Sequence, residues 1–345
     1  MKQIKIKSSA GDSAIFINEK IKNADKYICA EKRIIITDSN VKRYYEDIFP
    51  SADIIEIKSG EANKNLDTIQ YIYNKFIELD VDRSSFILCI GGGVITDIAG
   101  FAASTFARGV KFGFIPTTLL AQIDAAVGGK NGVDFSGYKN IIGNINQPEF
   151  VICDSYFLKT LPKKEVLCGL AEAVKAGAIK DESLFAFIEK NYKKAINLDP
   201  DVIEHIIYES VLIKANIVNA DAKETGERKL LNFGHTFGHA IELIYNIRHG
   251  EAISIGMIIS ALISVKKGLL SESDFYRIKN LLINLNLAPD KSIKFDMEQA
   301  IDSLKRDKKR AGNKIDFILL KSIGKAVREP IDLNELAHAA EFLNA

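Results

Sequence analysis

A chain of 345 residues is long enough for about two domains of roughly 150 residues each, and its interior is large enough to need no disulfide staples. Its 46 Lys and Arg against 45 Asp and Glu give a net charge of +1 with no block of like charge, which argues against a nucleic-acid-binding protein. Forty-seven per cent hydrophobic and 26% charged residues exclude wholesale disorder, collagen and coiled coil.

The opening MKQIKIKSS carries charges but lacks the apolar stretch of a targeting signal. Cys29, Cys89, Cys153 and Cys168 form no C-x-x-C pair, so neither a zinc ribbon nor a disulfide framework is suggested, and a reducing cytoplasm fits best. Short β-branched runs at 33–37, 53–57, 85–90, 111–115 and 150–153 read as strands buried on both faces. Between the second and third, Leu66, Ile69, Ile72, Tyr73, Phe76 and Ile77 recur at helical spacing. This alternation predicts an α/β N-terminal domain, residues 1–158, with a doubly wound, mostly parallel sheet and right-handed crossovers. From 159 to 345 the period is mostly 3.6, which predicts a mainly α-helical C-terminal domain with a small hairpin at 315–320 and 325–328. The longest weakly polar run, 252–265, falls short of the roughly 20 residues that cross a bilayer, so no membrane span is expected.

The first chemical motif is Cys89-Ile-Gly91-Gly92-Gly93-Val-Ile-Thr-Asp97, a strand that enters a helix through three glycines. Such a turn lets backbone N–H groups approach a pyrophosphate at a helix N-terminus. Its spacing is not G-x-G-x-x-G, and a turn needed only for packing is the other reading. Thr37-Asp38-Ser39-Asn40 ends a strand, and Gly60-Glu61-Ala62-Asn63-Lys64 begins a helix. Both stand where ribose or adenine contacts arise, and both also read as caps or turns. Lys130 follows paired glycines beyond a helical run at 119–127. With Arg108, Lys139, Lys175, Lys214 and Arg228 it belongs to a set of cations beside small residues, suited to a phosphorylated substrate if they converge.

Of five histidines, His235, His239 and His249 fall within fifteen residues. His235 and His239 share one helix face, and His249 follows a short connection. With Glu172, set among small residues, they read as a catalytic zinc site that leaves one position open. By spacing alone His235 and His239 could ligate together, while Glu172 and Lys175 could instead form a solvated pair.

Taken in order, Gly91-Gly-Gly-Val-Ile-Thr-Asp97, Pro116-Thr-Thr-Leu-Leu-Ala-Gln-Ile-Asp124, Gly128-Gly-Lys130, Lys139-Asn140, Gly169-Leu-Ala-Glu172 with Lys175, Glu227-Arg228, Leu231-Asn-Phe-Gly-His-Thr236 and His249-Gly-Glu251 resemble the 3-dehydroquinate synthase family of the shikimate pathway. The chain departs from that pattern at Ala125-Ala126, where two serines are usual, and at Ala107, where methionine is frequent. The resemblance implies a lyase that turns 3-deoxy-D-arabino-heptulosonate 7-phosphate into 3-dehydroquinate and phosphate through transient oxidation by NAD, β-elimination, re-reduction and aldol closure. Glu172, His235 and His249 would bind zinc, or cobalt in its place. Lys130, Asn140, Asn232, His239 and Lys308 would hold the phosphate, and Lys214 and Arg228 the carboxylate side. Asp124 and Lys175 would orient substrate hydroxyls. Asp38, Asn40, Glu61, Lys64, Gly91, Gly92, Gly93, Asp97, Thr117, Thr118 and Lys139 would line the NAD site. A homodimer is implied, in which Arg108 reaches across the two-fold interface into the other copy's site. Related sugar phosphate cyclases, and the metal-dependent glycerol and alcohol dehydrogenases, are the competing enzyme readings.

Overall fold

The first residues alternate isoleucine with charge, and in the computed structural model they form an edge strand, β1 (Lys2–Ser8), that buries Ile4 and Ile6 and exposes its lysines. β1 pairs antiparallel with β2 (Gly11–Ile17) across a tight turn at Ser9 and Ala10. This hairpin lies outside the predicted set of strands. The structure describes residues 1–288, 299, 310–311 and 314–332.

After the hairpin come β3 (Arg33–Asp38), α1 (Ser39–Tyr45), β4 (Asp53–Ile57), α2 (Leu66–Glu78), β5 (Phe86–Gly91), α3 (Gly93–Thr105), β6 (Lys111–Pro116), β7 (Lys130–Phe135), β8 (Tyr138–Ile145) and β9 (Phe150–Cys153). The seven-stranded sheet runs β1-β2-β9-β6-β5-β3-β4, and every pair from β2 to β4 is parallel. The five predicted strands are all in it. β3, β5, β6 and β9 are buried on both faces, as helix-covered parallel strands are. β4 is not: it is the last strand of the sheet and buries only Ile55 and Ile57. Ile35, Leu88, Ile90, Ile115 and Ile152 make the core, where the Phe86 ring stacks on Phe150 at 5.6 Å.

Helix α2 starts where the Asn65 side chain accepts the Thr68 N–H, and it buries Ile69, Ile72 and Phe76. Ile77, counted in the predicted apolar face, is 66% exposed, because one residue past Phe76 turns the side chain about 100° round the helix. The helical run expected at 119–127 is also shorter than predicted. Ala121–Ala125 form a single π-turn in which the Ala126 N–H reaches back to the Ala121 carbonyl, and Gly128 and Gly129 follow at φ +100° and +69°.

Two compact units divide the chain, the first being Met1–Glu165 with Ile203–Lys223. The second is Val166–Val202 with the described residues from Glu224 onward. The later elements are α4 (Lys163–Lys180), α5 (Glu182–Ile196), α6 (Pro200–Ala220), α7 (His235–Tyr245), α8 (His249–Lys266), α9 (Glu272–Asn284), β10 (Arg310–Ala311), β11 (Lys314–Ser322) and β12 (Lys325–Asp332). All of α6 beyond its first three residues belongs with the first unit. The expected late hairpin is β11–β12, longer at both strands than predicted. Phe237, Ile241, Ile255, Ile259 and Ile263 pack with Phe317, Leu319 and Ile331 as the core of the second unit. α8 has the length and composition to cross a membrane, but 72% of it is buried, which marks it as a core helix packed on α7, α9 and β11.

The contrast on α2 is measurable. Ile72→Ala should lower stability by about 2–5 kcal/mol, and Ile77→Ala by no more than about 0.5 kcal/mol, in urea unfolding of the two variants. Equal losses would mean that the face of α2 is misassigned.

Candidate active site

Helix α4 can be buried along its middle because that segment, Gly169-Leu-Ala-Glu-Ala-Val-Lys-Ala-Gly-Ala178, is built of small residues around two charges. Glu172 is 1% exposed, and Lys175, one turn on, forms an ion pair with it while nearly as buried. The solvated-pair reading is thereby excluded. A carboxylate removed from water this far needs partners, since burying it alone costs several kcal/mol. His249, the first residue of α8, sets Nε2 2.9 Å from Glu172 Oε1, and His235, the first residue of α7, sets Nε2 3.6 Å from the same oxygen. Two glycines permit this convergence. A Cβ on Gly250 would stand 2.5 Å from Cys168 Cα of α4, and one on Gly256 of α8 would fall on the Gly234 carbonyl beside α7.

One carboxylate oxygen and two imidazole nitrogens, all within 4.8 Å of one another, are a donor set suited to zinc or cobalt. The far side of each ring is also engaged. His235 Nδ1 lies 3.1 Å from the Phe233 carbonyl, and His249 Nδ1 lies 3.4 Å from Glu242 Oε2, which leaves both Nε2 atoms aimed at Glu172. Burial, and then the Lys175 ammonium, hold His235 well below the ordinary imidazole range. Burial acts the same way on His249, but its hydrogen bonds to Glu172 and Glu242 prevail and raise it to about 9. His239, Glu242 and His249 form a second grouping within the same limit, more open because His239 is exposed.

Close to this cluster in sequence, Arg228 is 1% exposed, and Asn232 donates to Glu224 Oε1 at 2.7 Å. Glu224 and Glu242 were not among the predicted residues. Glu242 is legible in hindsight, because His235, His239 and Glu242 stand at i, i+4 and i+7 on one helix face. Glu224 sits in a turn without periodicity at φ +58°, and no pattern marks it. Lys308 lies outside the described residues.

In the first unit, chain order fixes a switch point: β3 leads to β4 on one side and the chain returns through β5 on the other. Asp38 and Gly91 end those two strands. The Asp38 carboxylate caps α1 by accepting the Asn40 and Val41 N–H groups, so the capping alternative is realised there. Gly92 caps α3 with no side chain across the helix N-terminus, which leaves the geometry that a pyrophosphate requires. Lys64, 5% exposed, pairs with Asp97 at 2.5 Å, and Lys139 Nζ lies 3.8 Å from Glu61. Burial would depress Lys64, but Asp97, Glu61 and Asp134 hold it above the ordinary lysine value. The Asn140 N–H reaches Asp134 at 2.7 Å, and the Asp134 N–H reaches the Lys64 carbonyl at 2.9 Å. Glu61, Lys64, Asp97, Lys139 and Asn140 are thus drawn together through Asp134, which was not predicted.

Thr117 N–H binds the Gly91 carbonyl, and Thr118 Oγ1 caps the turn that carries Asp124. Asp124 sits in the π-turn and pairs with Lys214 of α6. Lys130 is exposed at the start of β7. Arg108 is exposed too, in a tip where Ala107, Arg108 and Gly109 all have positive φ.

The 3-dehydroquinate synthase N-terminal family matches residues 54–168, and the C-terminal family of the same enzyme matches 169–310. The chain belongs to the 3-dehydroquinate synthase family. A 3-dehydroquinate synthase of Acetivibrio thermocellus is 43% identical over 88% of this chain and 88% of that one. Among solved structures, a 2-deoxy-scyllo-inosose synthase complexed with carbaglucose-6-phosphate, NAD+ and Co2+ superposes with TM-score 0.88 at 27% identity, over 98% of this chain and 99% of that one. A 2-epi-5-epi-valiolone synthase from Streptomyces hygroscopicus with NAD+ and Zn2+ bound gives TM-score 0.87 at 26% identity, over 98% of each chain. Identity is therefore higher to this 3-dehydroquinate synthase than to either of these cyclases.

The raised His249 has a consequence for any member of this family built the same way. The hydrogen bonds to Glu172 and Glu242 favour the protonated ring in the metal-free protein, whereas a histidine that serves as a metal ligand must be neutral. Zinc uptake at pH 7.5 should therefore release about one proton, and affinity should fall roughly tenfold per pH unit as the pH is lowered. Calorimetry in buffers of different ionisation heat reads this directly, and a heat independent of buffer would contradict it.

Proposed function

We propose that this chain converts 3-deoxy-D-arabino-heptulosonate 7-phosphate to 3-dehydroquinate and phosphate, with NAD and a divalent metal as catalytic partners. The observation that carries the reading is the convergence of Glu172, His235 and His249 on one point in a member of this family. These three residues are the metal ligands. A metal held by these residues would supply Lewis acidity toward a secondary hydroxyl of the substrate, and bound NAD would supply reversible hydride acceptance.

The chain's own side chains do the binding and orientation. Residues 1–158 act in NAD binding and residues 159–345 in metal and substrate binding, although 159–165 and 203–223 of the latter segment lie in the first compact unit. The open α3 N-terminus at Gly91, Gly92 and Gly93 takes the pyrophosphate, with Asp38, Asn40, Glu61, Lys64, Asp97, Thr117, Thr118 and Lys139 around the nucleotide. Lys130, Asn140, Asn232, His239 and Lys308 hold the substrate phosphate, and Lys214 and Arg228 hold its carboxylate. A fully buried guanidinium such as Arg228 grips a carboxylate through parallel hydrogen bonds in a low dielectric, where each is worth more than in water. Asp124 and Lys175 orient hydroxyls. None of these residues needs to serve as a strong base, because the departing phosphate can itself take the proton from the neighbouring carbon.

The reading is tested by incubating the purified protein with the heptulosonate phosphate, NAD and zinc. Phosphate release without accumulation of NADH is expected, abolished by a chelator and restored by zinc or cobalt. Stoichiometric NADH, or full turnover in verified metal-free protein, would overturn it.

A cytoplasmic homodimer completes the proposal. Four free thiols support the reducing compartment. The exposed, left-handed tip at Ala107, Arg108 and Gly109 supports a role for Arg108 in the other copy's site. Chains bearing Arg108→Ala and Glu172→Ala should each be inactive alone. Reassembled in equal amounts, about half the dimers are mixed, and each mixed dimer has one intact site of two, so roughly one quarter of wild-type activity should return. No recovery would place Arg108 in the site of its own chain.

A further inference from the structure

Among the described residues outside the assigned set, a half-buried titratable group, Glu242, touches the metal cluster. Glu242 lies on α7 one turn beyond His239 and two turns beyond His235, while Phe237, Ala240 and Ile241 of the same helix enter the core. Its side chain is 11% exposed, so its charge has been taken largely out of water and requires a hydrogen-bonding partner. Oε2 stands 3.4 Å from His249 Nδ1, while the opposite nitrogen of that ring stands 2.9 Å from Glu172 Oε1. The imidazole is therefore suspended between carboxylates from two helices, α4 and α7, neither of which is its own.

We infer that Glu242 is a positioning residue: it accepts the Nδ1 proton of His249, fixes the tautomer, and presents the Nε2 lone pair to the metal. The inference rests on the reading of Glu172, His235 and His249 as ligands. His249 bound through Nε2 keeps its single ring proton on Nδ1, and Glu242 is the charged acceptor that faces it. An anionic acceptor there makes the imidazole more electron-rich and a stronger ligand. His235 is held by a neutral acceptor instead, the Phe233 carbonyl. The two histidines are thus oriented by different means, and only His249 depends on a side chain that can be exchanged without touching the backbone.

The test compares Glu242→Ala, Glu242→Gln and His235→Ala with the wild-type protein. Zinc affinity is read by competition with a chelator, the visible spectrum of the cobalt-substituted protein reports ligand geometry, and circular dichroism confirms folding. Glu242→Ala should bind zinc 10–100-fold more weakly and alter the cobalt spectrum. Glu242→Gln keeps an acceptor oxygen and should recover most of the affinity with a spectrum close to wild type, a rescue that loss of helix packing would not show. His235→Ala should lose zinc altogether. Wild-type affinity and spectrum in Glu242→Ala would overturn the inference while leaving the ligand set intact. So would a second zinc equivalent bound by the wild type and missing from Glu242→Ala, because Glu242 would then be a ligand in the His239 grouping. Retention of zinc by His235→Ala would instead remove the ligand reading, and this inference with it.

Discussion

The second unit is organised by the burial of one carboxylate. Glu172 is almost fully enclosed by a helix of alanines and glycines, and an ionised group there is tolerable only if charge and hydrogen bonds are supplied to it from close by. Lys175 supplies one charge from the same helix, and His249 and His235 come from the first residues of α8 and α7. Three helices must therefore meet with almost no side-chain spacer between them, which explains why Gly250 and Gly256 stand at the contacts where a methyl group would not fit. The same geometry that satisfies the buried charge also brings one carboxylate oxygen and two imidazole nitrogens within 4.8 Å of one another, a donor set of the kind that suits a metal. Stability and chemistry depend here on one constraint.

The first unit poses a different problem, that of presenting polar groups at the edge of a sheet whose inner strands β3, β5, β6 and β9 are buried on both faces. The parallel strands end their apolar runs at a common edge, with Asp38 and Gly91 at the switch point and an uncapped helix behind the glycines. Charged side chains near that edge are paired with one another, Lys64 with Asp97 and Lys139 with Glu61, and are tied to the β7–β8 hairpin through Asp134. A buried lysine held in an ion pair is already oriented, so little conformational entropy remains to be lost when a ligand arrives.

A net charge of +1 conceals a sorted distribution. Among the described residues, Arg277 pairs at the surface with Glu182 and Glu189, while Arg228, Lys175 and Lys64 are buried. Lys175 and Lys64 face carboxylates of their own unit, Glu172 and Asp97, so the cost of their burial is offset by internal pairing.

Short β-branched runs and period-3.6 apolar patterns alone determined the parallel strands, helix α2, the described helices after residue 159 and the late β11–β12 hairpin, because burial within a sheet or on a helix face leaves a mark on neighbouring residues. The glycine triplet, Glu172 and the histidine cluster were legible for a similar reason: each combines residue types whose chemistry is rare at that spacing. Short-range pattern was silent about β7–β8, whose Gly, Asn and Lys residues do not alternate, and it misplaced Ile77 at the margin of its face. It could not choose between a solvated and a buried Glu172–Lys175 pair, nor find Glu224 and Asp134, nor say what Glu242, which shares a helix face with His235 and His239, would touch. Those were decided only by the tertiary structure, because the state of a charged group depends on atoms that the fold brings from distant parts of the chain, and the energy of burial and pairing is a property of that assembled neighbourhood.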